Sequence, residues 1–186
     1  MALEIVRRQW SVDDYHRMAE TGILEEDERV ELIGGDVLQM PRIEARHAAC
    51  VDRLTMALAP AVASSAIVRV QGPIQVDDYS EPQPDLAVLR IRGDFYRDGH
   101  PLPADVLLLI EVADSSLLYD RNTKLPVYAR AHSPEVWLVS VPDERVERYS
   151  EPVNGIYQAI QIVQRGQAVV STTLPEVTIA ADTIFG

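Results

Sequence analysis

Two carboxylates stand inside apolar runs, where a charge needs a reason. Asp85 follows Pro84 and leads into Leu86-Ala-Val-Leu89, and Glu111 interrupts the run from Val106 to Ala113. Both runs read as strands. A carboxylate buried in a strand is costly unless it is paired, hydrogen-bonded or bound to a metal. If the two strands are neighbours, the side chains converge on one point, where like charges raise one another's pKa unless a cation joins them. A hard divalent ion such as Mg²⁺ takes oxygen ligands of this kind and keeps several waters. It also acidifies water and stabilises charge on an attacked phosphate. Lys124 supplies a third group, being the only lysine in a chain with sixteen arginines. Its compact, tunable ammonium suits orienting a water or neutralising a phosphate better than a guanidinium does.

Each of these residues also has a plainer reading. Asp85 could cap a strand, Glu111 could pair with a buried arginine, and Lys124 could be a solvated helix residue. Glu31 lies in an alternating run, where a surface-facing carboxylate is as good a reading as a ligand. His47, at the head of a long helix, reads first as a polar surface residue and second as a substrate contact. Gln83 reads first as a loop residue and second as a group that positions phosphate or water. Asp120 reads as an N-cap, Asp77-Asp78 as a solvated turn, and Tyr128 and Trp137 as core.

The elements that must position these groups follow from periodicity. Ser11-Val-Asp-Asp14 is a capping box opening a short helix that ends near Gly22. Apolar runs either side of Gly34-Gly35-Asp36 predict a hairpin. Residues 44–63 carry Ala48, Val51, Leu54, Leu58 and Val62 on one face and predict the longest helix. Residues 66–70 predict a strand, continued by residues 74–76. Residues 84–90 predict a strand with proline at its tolerated first position, and residues 92–104 a loop. Residues 105–113 predict a central strand, apolar throughout and so covered on both faces. A helix follows from Asp120 to about Arg130, separate or kinked in its first turn because of Pro126. Further strands are predicted over residues 135–141, 146–149, 155–163 and 168–172, with a terminal turn at 182–185. The order predicts one mixed α/β (α+β) domain over residues 1–186.

Composition sets outer bounds. With 47% apolar and 25% charged residues, the 186-residue chain has enough core for a globular domain. No apolar run reaches the ~18 residues of a membrane span, and Met1-Ala-Leu-Glu-Ile-Val-Arg-Arg8 has no export pattern. Cys50 is the single cysteine, so no intrachain disulfide forms and a cytoplasmic location is the expectation. A net charge of −12 argues against coating nucleic acid non-specifically, although a local basic groove remains compatible with it.

Several short motifs recur in a familiar order. They are Glu31-Leu-Ile-Gly-Gly-Asp36, His47, Pro82-Gln-Pro-Asp85, Glu111-Val112 with Ser115-Ser116, Asp120 with Lys124, Tyr128-Ala129 and Glu135-Val-Trp137-Leu-Val139. Together they resemble the Uma2 family of restriction-endonuclease-like proteins, within the PD-(D/E)xK nuclease superfamily. The resemblance implies a central mixed β-sheet flanked by helices and a Mg²⁺-dependent (or Mn²⁺-dependent) phosphodiesterase site acting on nucleic acid, DNA above all. It implies that Asp85 and Glu111 hold the metal, that Glu31 adds a direct or water-mediated ligand, and that Lys124 serves catalysis. The superfamily's usual lysine lies two residues after the second acid, where this chain has Ala113. The resemblance implies that Lys124, on the next helix, replaces it. A homodimer is expected, since cutting both strands of a duplex needs two sites or two visits. Two rival readings are a nuclease-fold binding module without catalysis and a metal-dependent hydrolase of another substrate.

Overall fold

The computed structural model describes residues 7–186, so most of the N-terminal stretch scanned for an export signal lies outside the described residues. Six strands form the central sheet, in the order β3 (Ala66–Val70), β4 (Leu86–Arg90), β5 (Val106–Ala113), β6 (Glu135–Ser140), β7 (Arg145–Val153) and β8 (Ile156–Gln164). Only β5 and β6 are parallel; the other neighbours are antiparallel. The parallel pair is joined by a helical crossover, the connection that parallel strands require. β5 and β6 are buried on both faces, as continuous apolar runs without alternation predict.

Two cores cover the two faces of the sheet. On one, helix α2 (Ala45–Val62) buries Cys50, Val51, Leu54, Leu58 and Val62 against Leu108, Ile110, Val112 and Trp137. The spacing of those five residues is one helical stripe. On the other face, α4 (Leu125–Arg130) buries Leu125, Val127 and Tyr128 against Leu109, Ala113, Val136 and Leu138. Glu111 shares a face of β5 with Leu109 and Ala113, so its side chain points to the α4 side.

The crossover helix departs from expectation. It begins before Asp120, as α3 (Leu117–Tyr119), passes through a π turn over Asp120–Lys124, and ends as α4. Asp120 is therefore inside the helix and is not its N-cap; its carboxylate accepts a 2.6 Å hydrogen bond from Ser116 Oγ one turn earlier. Pro126 lacks an N–H, and the turn before it widens, with the Leu125 N–H reaching back to Asp120 O. Ile74 and Val76 are buried, but residues 74–76 form no strand. Their N–H groups go to Pro82, Pro101 and Ser80 carbonyls instead of to a ladder. The terminal turn is a short helix, α5 (Ala181–Phe185), preceded by strand β10 (Thr178–Ala180), which pairs with β9 (Ala168–Val170).

Helix α1 (Val12–Glu20) carries the expected capping box between Ser11 and Asp14. Strands β1 (Val30–Ile33) and β2 (Asp36–Gln39) form the expected hairpin, and Glu81 bridges onto β1 at Leu32. The hairpin turn places Gly34 at φ +58° and Gly35 at φ +80°, the left-handed pair that a two-residue hairpin requires. A Cβ on Gly35 would also lie 2.5 Å from the Gln9 Cβ. Gly35→Ala is therefore expected to lower stability by about 1–3 kcal/mol, read as a fall in the denaturant midpoint. An unchanged midpoint would mean that the 9–10 segment moves aside freely.

Candidate active site

The two acids meet because β4 and β5 pair antiparallel, with Leu86 opposite Ile110. Asp85 lies one residue before that pairing starts and Glu111 one residue after it ends. The Val112 N–H lies just past β4, and the Asp85 carboxylate accepts it at 2.8 Å. Asp85 thus closes the sheet ladder at this point, and its other oxygen receives His47 Nε2 at 3.0 Å. His47 stands in the first turn of α2 and is mostly buried, not a surface residue.

Glu111 is buried and takes Lys124 Nζ at 2.7 Å; the Tyr128 hydroxyl donates to the same oxygen. Its partner is the lone lysine and not an arginine. Lys124 is itself 3% exposed, which removes the solvated reading. Its ammonium also reaches Glu31 at 3.3 Å and donates to the Gln83 carbonyl at 3.2 Å. Glu31 is buried because all four residues of β1 are buried, so the alternation expected there does not produce a surface face. The Glu31 carboxylate further accepts from the Gln83 N–H and from the Tyr119 hydroxyl, each at 3.0 Å. The Gln83 side-chain amide is turned away to the Val30 carbonyl.

Glu31, His47, Gln83, Asp85, Glu111 and Lys124 all line one cavity of about 70 Å³, together with Arg29, Arg42, Ser116, Tyr119 and Asp120. Tyr128 is core, as its sequence context predicts, and its hydroxyl also reaches Glu111; Asp120 is not a cap, and no signal in the sequence marks Tyr119. Their roles depend on the π turn, which no spacing rule anticipates. The three acids do not form a closed ligand set. Among the described residues the one His/Cys/Asp/Glu trio whose ligand atoms all come within 4.8 Å lies elsewhere, at His16, Glu81 and His100. In the cleft, the Lys124 ammonium stands between Glu31 and Glu111.

Burial acts on Glu111, Asp120, Lys124 and Asp85. It pushes the Glu111 carboxyl well up, with Lys124 opposing it, and it pushes up the Asp120 carboxyl. Burial would lower Lys124, but the carboxylates of Glu111 and Glu31 overcome it and hold the lysine charged, above its ordinary value. Burial would raise Asp85, yet His47, the Val112 N–H and Lys124 together bring it below the ordinary carboxyl range.

A family model described as "Uma2: Putative restriction endonuclease" matches residues 12–182. The chain belongs to the Uma2 family. All the cleft residues fall within the matched span. A crystal structure described as "a putative nuclease belonging to DUF820", from Anabaena variabilis ATCC 29413, is similar with a TM-score of 0.72 at 16% identity. The match covers 94% of this chain and 97% of that one. At that identity the likeness is one of fold, that of a six-stranded mixed sheet with flanking helices. The type IIG restriction endonuclease BpuSI overlaps at a TM-score of 0.42 and 17% identity, over 75% of this chain and 15% of its own. No curated protein matches the sequence. Among the described residues no helix is long and apolar enough to cross a membrane.

The His47–Asp85 pair gives a direct test in metal-free protein. His47 is raised from its ordinary value chiefly by the hydrogen bond to Asp85, against the opposing effect of burial. Its stabilising contribution is complete below about pH 6.5 and fades as pH rises through the raised folded value. That of Asp85 is complete above about pH 3.9 and fades as pH falls through its lowered folded value. The pair is thus at full strength between those limits. An NMR titration of the imidazole is expected to place the His47 midpoint above the free value, and Asp85→Asn to bring it down. A native midpoint at or below the free value would exclude the pair.

Proposed function

We propose that the chain is a single restriction-endonuclease-like domain that hydrolyses phosphodiester bonds, with DNA as substrate and Mg²⁺ or Mn²⁺ as cofactor. The observation that carries this reading is the Lys124 ammonium, buried 2.7 Å from Glu111 in the cleft that also holds Asp85. The residues present fit a hard divalent ion. Among the described residues Glu111 Oε2 accepts no hydrogen bond, the closest contacts of this carboxylate running to Oε1, and Asp85 lines the same cavity. The volume is several times the ~10–15 Å³ that one water needs, and such ions keep waters while taking one or two carboxylates.

Asp85 and Glu111 would hold the ion, which supplies positive charge to the attacked phosphate and acidifies a water. Glu31 would add a ligand, direct or through water, while orienting Lys124 as it does here. Held charged by two carboxylates, Lys124 is suited to stabilising the pentacoordinate phosphate and poorly suited to accepting a proton. His47 positions Asp85. The Gln83 carbonyl anchors the ammonium, so its part in substrate binding is through the backbone. Arg29 and Arg42 at the cleft offer local positive charge within an acidic chain.

The test is cleavage of plasmid and of labelled single-stranded DNA and RNA with Mg²⁺, with Mn²⁺ and with chelator. Metal-dependent cutting is expected, and Asp85→Asn, Glu111→Gln and Lys124→Arg should each reduce it by about 100-fold or more. Folded protein that leaves every nucleic acid intact with either metal would sink the proposal. That result would favour the second reading, a binding module without catalysis. Two observations give it weight: Ala113 stands where the superfamily has its lysine, and both acids already have internal basic partners, His47 and Lys124.

A cytoplasmic homodimer belongs to the same proposal. The single cysteine is buried and unpaired. Strand β8, at one edge of the sheet, leaves Ile156, Ile160 and Ile162 more than half exposed, and an apolar edge invites a second strand. Light scattering is expected to give the mass of two chains, with Ile160→Lys shifting it towards one. A one-chain mass for the native protein would exclude the dimer.

A further inference from the structure

Glu81 is buried at 3% exposure, and among the described residues no lysine or arginine pairs with it. A buried carboxylate without a fixed cation is costly. Its neighbours are two imidazoles. His16 Nε2 lies 3.0 and 2.9 Å from the two carboxylate oxygens, and His100 Nε2 lies 4.0 Å from Oε1. All three residues offer a ligand atom within 4.8 Å of the others, and the two rings meet edge to face with centroids 5.9 Å apart.

We infer that His16, Glu81 and His100 form a second metal site, for a borderline transition ion of the Zn²⁺ class. Bonds of about 2.0–2.2 Å to a tetrahedral Zn²⁺ set its donor atoms about 3.3 Å apart, and the observed separations bracket that spacing. Two imidazoles and one carboxylate suit Zn²⁺ and its neighbours, whereas the carboxylates of the cleft suit Mg²⁺. None of the three residues lines the cleft. Three protein ligands leave a fourth position for water, and the partial exposure of both histidines gives an entry path.

The site joins three pieces of chain that are otherwise far apart in sequence. His16 comes from α1. Glu81 comes from the connection leading to Gln83 and Asp85, and is fixed to β1 through Glu81 N–H to Leu32 O at 2.7 Å. His100 comes from the loop between β4 and β5, anchored at Pro101 O by the Gln75 N–H. A bound ion would therefore brace the N-terminal helix and that loop against the strand segment that carries the cleft acids, without touching those acids.

The test uses chelator-treated full chain titrated with Zn²⁺ by calorimetry, with Mg²⁺ in excess to occupy oxygen sites. One Zn²⁺ per chain is expected, with a raised melting temperature. Co²⁺ in its place should give visible d–d bands. Even outer-shell partners are worth 10–100-fold in metal affinity, so loss of a direct ligand in His100→Asn or His16→Asn should weaken Zn²⁺ by at least about that much. His100 is partly exposed, and its variant should melt like the metal-free native chain. Absence of Zn²⁺ binding, or binding that both histidine variants leave unchanged, would overturn the assignment. Because Mg²⁺-dependent cleavage is read separately, the two proposals fail separately.

Discussion

An ammonium buried among carboxylates sets the terms for the rest of the structure. Lys124 has almost no access to water, so its charge must be met from within, and Glu111, Glu31 and the Gln83 carbonyl meet it. The dependence is mutual, because removing one partner of a buried pair strands the other at a cost of about 3–5 kcal/mol. Each partner comes from a different element, the centre of the sheet, the N-terminal hairpin and the connection before β4, and the lysine itself from the crossover helix. The charge cluster is thus also the point where separate layers are held in register. The cleft is polar where the surrounding cores are apolar.

The backbone plan explains why the cluster forms at this end of the sheet. The antiparallel β4–β5 pairing brings Asp85 and Glu111 to the same end, and the parallel β5–β6 pairing forces a helix to return across that face. The sheet also leaves the Val112 N–H to be satisfied beyond β4, and the Asp85 carboxylate does so while holding His47. Capping a strand and shaping a polar cleft are therefore one role for Asp85. The plain reading and the chemical one do not compete there.

Most of the scaffold was legible in the sequence because it is written in periods. The stripe on α2, the unbroken apolar run of β5 and the paired glycines of the hairpin each have one good structural solution. What misled was local context. Asp120 heads the helical run in the sequence and so reads as a cap, yet its carboxylate bonds back to Ser116, at the head of a helix that starts earlier. Residues 74–76 looked like a strand from β-branched content, but no neighbouring strand offers a ladder. Glu31 lay in an alternating pattern that β1 does not keep, since α1 and the 77–83 connection cover it. His16, Glu81 and His100 were invisible because nothing in their spacing joins residues 65 apart in sequence, as His16 and Glu81 are. Their meeting is purely a tertiary fact.

The π turn has one more consequence. A helix advances about 100° for each residue, so the angular phase of Lys124 is fixed by the number of residues between β5 and the turn as much as by their identities. Point substitutions on the outer face of Leu117–Thr123 leave that phase alone. Gaining or losing a single residue there would swing the ammonium away from the carboxylates and turn another side chain towards them. The same change beyond Arg130 would leave the charges in place. The vulnerable quantity in this stretch is therefore length, and the cleft works as a gauge of how many residues the chain spends in crossing from strand to helix.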